Sequence, residues 1–243
     1  MKYLFFFISL NAFSQSLLIE YDWRMRNVSP MTQEYIFNDS LSLYAKHTIL
    51  HNRTVYEFTE KLCFMKDKKR DALYISYFEP LLFKGAKYVK ETIPNFSWEL
   101  LSDTLTILKQ KCFAAKTHFR GRDYMAFYAP SIPLPDGPWK FGGLPGLILK
   151  VNSLDEDEVT WIATRLESLY LENIETPDIT KYTYFTWEEF VKSYAEDFKK
   201  FSKRSRSRAE ESGLQIEGVK SEINIPSIEF IYPGLHTGAG AEY

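Results

Sequence analysis

Residues 117–149 hold the densest run of side chains able to do recognition chemistry. Arg120 and Arg122 flank Gly121, and two guanidinium groups so placed can fork onto a carboxylate or phosphate of a ligand or partner. The same arginines can instead pair inside the chain with Asp123 or Asp136 and hold a hairpin, and the sequence leaves both readings open. Trp139, Lys140 and Phe141 follow Gly137-Pro138, and aromatic and cationic residues on a turn are the types that anchor binding surfaces. Arg120, Arg122, Trp139, Lys140 and Phe141 are therefore the candidate binding residues. The sequence contains no Gly-x-Ser-x-Gly elbow, no phosphate-binding Gly-rich loop before a helix and no His-Glu-x-x-His. His118 near Asp123 or Asp136 is the residue that would serve as a general base, but no triad order is legible around it. His47 and His51 have i, i+4 spacing in a stretch that looks like turn and strand, so no metal site is expected there. The expectation is a chain with no catalytic residues, no metal and no cofactor, and not an enzyme.

Two cysteines remain. Cys63 and Cys112 lie in apolar, strand-like stretches, and a bridge between them would close a loop of about 50 residues. The alternative is a pair of unpaired buried thiols behaving as small hydrophobes. Neither belongs to a Cys-x-x-Cys pair, which argues against a thiol oxidoreductase.

These residues must be positioned by a core, and the composition says of what kind. The chain has 243 residues, 45% hydrophobic and 26% charged, a balance that excludes a disordered tail or a fibre. The formal net charge of −2 argues against a nucleic-acid partner. Nineteen Phe, 16 Tyr and 5 Trp with only 11 Gly favour β-structure, where rings pack on a pleated surface. Aromatic and β-branched runs recur at 18–23, 33–37, 54–58, 72–78 and 87–93. Further runs follow at 104–119, 123–129, 146–151 and 158–166. Strands at this spacing without helices between them predict an antiparallel meander. Residues 72–78 are apolar on both alternating faces, which predicts a central strand. The long run 104–119 is expected to be bent or bulged.

One helix is predicted at 186–208. Thr186 and Glu189 form a capping box, and Phe190, Val191, Tyr194, Ala195, Phe198 and Phe201 then recur at helical period. Its far end is basic, from Lys199 to Arg208, as suits the negative end of a helix dipole or a contact with anionic lipid. The expected fold is mainly β (α+β): a curved antiparallel sheet or half-barrel meander with one long amphipathic helix packed on it. Such a sheet can enclose an apolar groove lined by rings.

The N-terminus reads as an address label. Residues 1–14 combine Lys2, an apolar run and small residues before Gln15, the pattern of a secretory signal peptide. Residues 15–212 would form a single β-rich domain. Residues 213–243 would follow as a C-terminal segment, an edge strand and then a frayed Gly-rich end.

Gly143-Leu144-Pro145-Gly146-Leu147-Ile148 spells GLPGLI, and upstream stand Cys112, Ala115, Phe119-Arg120-Gly121-Arg122, Ile132-Pro133 and Gly137 to Gly142. In these residues the chain resembles the GLPGLI family of exported proteins from Bacteroidetes. The resemblance implies the periplasm or outer cell envelope of a Gram-negative bacterium, and it carries no catalytic residue with it. The functional expectation is a non-enzymatic periplasmic binding or carrier protein for an apolar ligand, lipid or peptide. The alternative is a protein-interaction module for outer-membrane assemblies, presenting Arg120, Arg122 and Trp139 to Phe141 as its surface. The Gly143 to Ile148 turn itself reads as architectural.

Overall fold

A computed structural model describes residues 16–26, 28–50, 53–57, 63–77, 85–155, 158–169 and 178–211. The expected signal peptide at 1–14 and the expected C-terminal strand at 213–243 lie outside these residues. Among the described residues thirteen strands form one mixed but almost wholly antiparallel sheet. They are β1 (Ser16–Met25), β2 (Val28–Phe37), β3 (Leu41–Leu50), β4 (Arg53–Glu57), β5 (Cys63–Asp67), β6 (Ala72–Tyr77) and β7 (Lys87–Glu91). There follow β8 (Glu99–Ile107), β9 (Gln110–Phe119), β10 (Arg122–Ala129), β11 (Leu147–Ser153), β12 (Val159–Leu169) and β13 (Tyr184–Phe185). The helix α1 spans Trp187–Glu211. The chain is mainly β with one helix packed on a curved, open sheet, as its sequence pattern predicts.

The strand order is β13-β7-β6-β5-β3-β2-β1-β12-β11-β10-β9-β8, with β4 paired to β3 alone. Two meanders are therefore sewn together where β1 pairs with β12, a seam that neighbouring-run logic does not reveal. The order also dictates curvature. β7 and β8 stand ten strand steps apart in the sheet, roughly 48 Å if it were flat. The chain from Glu91 to Glu99 reaches only about 30 Å when fully extended. The sheet must therefore curl into a deep bowl, and residues 92–98 cross its mouth.

Local chemistry explains the elements. β6 is buried at all of its positions, as its two apolar faces predict, but it stands third from one end of the sheet rather than centrally; both its faces are covered because a core lies on each side. The 104–119 run is a hairpin rather than one bent strand, because Leu108 and Lys109 take φ of 49° and 63° and reverse the chain. At the helix start Thr186 N donates to Glu189 Oε2 at 2.8 Å, and Glu189 N donates to Thr186 Oγ1 at 3.2 Å. That reciprocal pair is the capping box. Phe190 and Tyr194 bury the helix's apolar face, Phe190 stacking on Tyr77 at 4.3 Å between ring centroids. Lys87 on β7 ties the helix body down through Asp197 at 2.6 Å.

The main core lines the inside of the bowl, with Ile19, Tyr21, Trp23, Tyr35, Phe37 and Trp161 all fully buried. A second, smaller core of Leu18, Ile36, Leu41, Leu43, Met65, Ala72 and Tyr74 belongs to the outer face of the same strands. Ile179, Tyr182 and Tyr184 cover part of it.

The Cys63–Cys112 bridge is not formed. Cys112 is a free, buried thiol, and the strands carrying the two residues stand seven steps apart in the sheet. Cys112 is thus the small hydrophobe of the alternative reading, its thiol pKa pushed up by burial. In a Cys63→Ala protein, maleimide should label Cys112 only after denaturation; labelling of the folded protein at the denatured rate would contradict this burial.

Candidate functional site

Between β10 and β11, residues 130–146 leave the sheet, turn inside the bowl and return. This segment carries Trp139, Lys140 and Phe141 into the interior, where they are 3%, 0% and 0% exposed. Trp139 lies parallel to Trp161 with centroids 5.9 Å apart, and Phe141 meets Tyr124 edge-on at 4.9 Å. Its turns need special backbone. Gly143 takes φ of +83°, and at Gly146 a Cβ would collide with the carbonyl of Ala129. Glycine at these two points lets the plug fold back against β10, so the Gly143 to Ile148 turn is architectural. Trp139, a bulky residue, is held at φ of 50° and pays for that strain by its buried ring contacts.

Two buried ionic clusters clamp the plug. In the first, Asp136 is 1% exposed and accepts from Lys66 Nζ at 2.7 Å. Lys68 Nζ lies 2.6 Å from its other oxygen, and the Ser42 hydroxyl and the Gly137 amide also donate to it. Lys66 Nζ further donates to the carbonyls of Gly137 at 3.1 Å and Phe141 at 2.6 Å, so all three ammonium protons are used. Burial alone would raise the Asp136 pKa, but the two lysines beside it hold the carboxyl below the usual range.

The second cluster lies under the start of α1. Glu91 on β7 contacts Arg120 at 2.6 Å and Lys140 at 2.5 Å. The Trp187 ring covers both cations, 4.0 Å from the Arg120 guanidinium carbon and 4.6 Å from Lys140 Nζ. The Tyr77 hydroxyl is buried beside them without a hydrogen-bond partner among the described residues. Burial pushes the Lys140 ammonium down to about 7, partly opposed by Glu91. Burial would raise Glu91, but Lys140 and Arg120 together hold it below its ordinary value.

Four of the five predicted binding residues are thus interior. Arg120 remains half-buried, and Arg122 is buried and paired with Asp155 at 3.2 Å. The internal-pairing reading of the arginines is the one observed, but with Glu91 and Asp155 in place of Asp123 and Asp136. An exposed Trp139–Lys140–Phe141 turn, the basis of the interaction-module reading, is corrected: the segment points into the bowl because its rings find the core there. The apolar groove expected on the concave face is corrected as well, since the chain's own plug fills it. His118 does pair with Asp123, at 2.8 Å, on open strand surface where Lys116 holds the other carboxylate oxygen at 3.0 Å. Asp136 is committed elsewhere. Among the described residues no cluster of His, Cys, Asp or Glu could hold a metal.

On the outer face lies a cleft of about 500 Å³ that no sequence pattern announces. Leu41, Met65 and Ile179 give it an apolar floor; Asp67, Lys69, Arg70, Asp178 and Thr180 give it a polar rim. Asp67 is bound to Arg70, and Asp178 Oδ1 accepts from Thr180 Oγ1 at 2.6 Å. The cleft joins strands β3 and β5 to a turn more than a hundred residues later, a pairing that only the fold brings about.

No family model matches the chain, and no curated protein matches it. Solved structures share the fold. PNGF-II in a C2 crystal form superposes with a TM-score of 0.50 at 14% identity, over 76% of this chain and 33% of that one. Its P21 form gives 0.51 at 16% identity, over 76% and 34%. The chain therefore spans about a third of the length of those proteins, and the likeness shows the fold alone. The LolA superfamily protein NE2245 from Nitrosomonas europaea aligns over 63% of this chain and 85% of that one, with 9% identity. Its TM-score is 0.25. Among the described residues no helix is long and apolar enough to cross a membrane.

The clusters make two opposed predictions. Glu91→Gln strands buried Lys140 and half-buried Arg120, Asp136→Asn strands buried Lys66 and half-buried Lys68, and each should destabilise by about 3–5 kcal/mol, read by urea denaturation. Lys140→Met removes the surplus cation and should cost far less, or stabilise. Its pH dependence follows from the shift: Lys140 titrates near 7 when folded and about 10.4 when unfolded, so the unfolded chain binds more protons between these values. The burial penalty is complete below pH 7 and is relieved as pH rises. The advantage of Lys140→Met over the parent should therefore shrink from about pH 7 towards 10, by up to about 1.4 kcal/mol per unit; a constant difference would contradict the assignment.

Proposed function

We propose that this chain is a non-enzymatic binding protein of the cell envelope, of the GLPGLI type, and that its ligand is an apolar or amphipathic small molecule or peptide. The observation that carries this reading is the outer cleft. An apolar floor with a charged rim suits a ligand with a greasy body and a polar end, and about 500 Å³ lies within the usual size of small-ligand sites. The filled bowl supports the same reading indirectly, because it removes the concave face as a competing site and gives the cleft a rigid back wall. Leu41 and Met65 are anchored in strands whose inner faces join the clamped core. The N-terminal pattern and the family resemblance support an exported location.

Two measurements test the reading together. Native mass spectrometry of the purified protein, compared with its denatured mass, should show a removable ligand. Titration with the neutral apolar fluorophore N-phenyl-1-naphthylamine should saturate, and Ile179→Asp should weaken it at least tenfold while leaving the melting temperature within a few degrees. A bare native mass combined with non-saturable fluorescence, or with saturation that Ile179→Asp leaves unchanged, would overturn it.

A further inference from the structure

The helix α1 is chemically divided. Its first half is docked through Phe190 and Tyr194, with Phe198 packed at the edge of the same core. From Phe198 to Ala209 the sequence contains no acidic residue, but it contains Lys199, Lys200, Lys203, Arg204, Arg206 and Arg208, all exposed. At 100° per residue, Lys199, Lys203 and Arg206 fall within a narrow stripe on the side away from Phe190, Tyr194 and Phe198. Exposed Glu196 separates Lys192 from this stripe, which therefore runs from Lys199 to Arg206, a length of about 11 Å. Lys200 and Arg204 flank it. The whole chain carries a net −2, so this stripe is a local positive excess on an otherwise acidic body. A body of that kind has an orientation in an external field: its acidic bulk is repelled by an anionic plane while the stripe is drawn to it.

We infer that the distal half of α1 docks the protein on an anionic phospholipid surface, beyond whatever the cleft binds. A straight ridge of cations meets a plane along its whole length at once, which a convex acidic protein does not allow. The capping box and the Lys87–Asp197 tie, at 2.6 Å, fix the ridge rigidly to the sheet, so docking sets the orientation of the domain. Each cation within a Debye length of such a surface raises partitioning roughly fivefold.

The test uses sedimentation of the purified protein with vesicles. Binding to vesicles with 30% phosphatidylglycerol in phosphatidylcholine at 150 mM salt should exceed that to pure phosphatidylcholine, and fall at 500 mM. Lys199→Gln/Lys203→Gln should lower it tenfold or more. Lys109→Gln/Lys111→Gln, which removes the same charge from the β8–β9 turn, should leave it nearly unchanged. Matching melting curves would show that both variants are folded. No preference for the anionic vesicles, or an equal loss in the two variants, would overturn the inference. Retention on a polyglutamate resin with no vesicle binding would overturn it in favour of an acidic protein partner.

Discussion

Everything in this fold turns on the carboxylate of Glu91. It sits on β7, near one end of the sheet, and binds Arg120 from the β9–β10 turn, near the other. It also binds Lys140 at the tip of the plug, and through the cations it meets Trp187 at the start of the helix. One side chain thus joins both ends of a curled sheet, its filling and its cap. A hydrophobic contact could bury as much area but could not fix these four parts at one point, because apolar packing has no direction. Two cations facing one carboxylate are an expensive arrangement in a dry interior. The cation–π contacts with Trp187 and the depressed Lys140 ionisation reduce that cost.

The second clamp works differently. Asp136 and Lys66 satisfy each other and the neighbouring backbone so fully that the plug's turn is written in hydrogen bonds: Gly137 N, Gly137 O and Phe141 O are all engaged. The two clamps hold the plug through Asp136 and Lys140, and its Trp139 and Phe141 complete the aromatic interior. The bowl is therefore better described as a barrel-like sheet packed around its own loop than as a vessel. The surfaces left open are the outer face, with its cleft, and the far end of the helix.

Much of this architecture was legible in the residues. The two apolar faces of β6, the capping box at Thr186 and Glu189, and the need for glycine at 143 and 146 are local, and local chemistry betrays itself. The clamps were not legible. Lys66 is a lone cation in an apolar strand, the kind of residue that must have a buried partner, but Asp136 stands 70 positions away and nothing in the spacing points to it. Trp139, Lys140 and Phe141 illustrate the same limit. Their types and turn context are those of an exposed hot spot, and only the path of the plug shows that they are core. The hairpin at Leu108 and Lys109 escaped because neither residue is one that normally accepts a left-handed backbone.

The seam between β1 and β12 has a consequence for how the molecule comes into being. The first strand finds one of its two neighbours at once, in β2, but Glu20 must wait for Arg165, 145 residues later, for the other. Until then Tyr21 and Trp23 lack the ring layer that will cover them, and the two meanders can form only as separate, half-protected sheets. Such long-range closure is slow. A chain emerging from its N-terminal end spends its youth with an aromatic face open to water, and a fold this well locked at the end depends at the beginning on being kept from its neighbours.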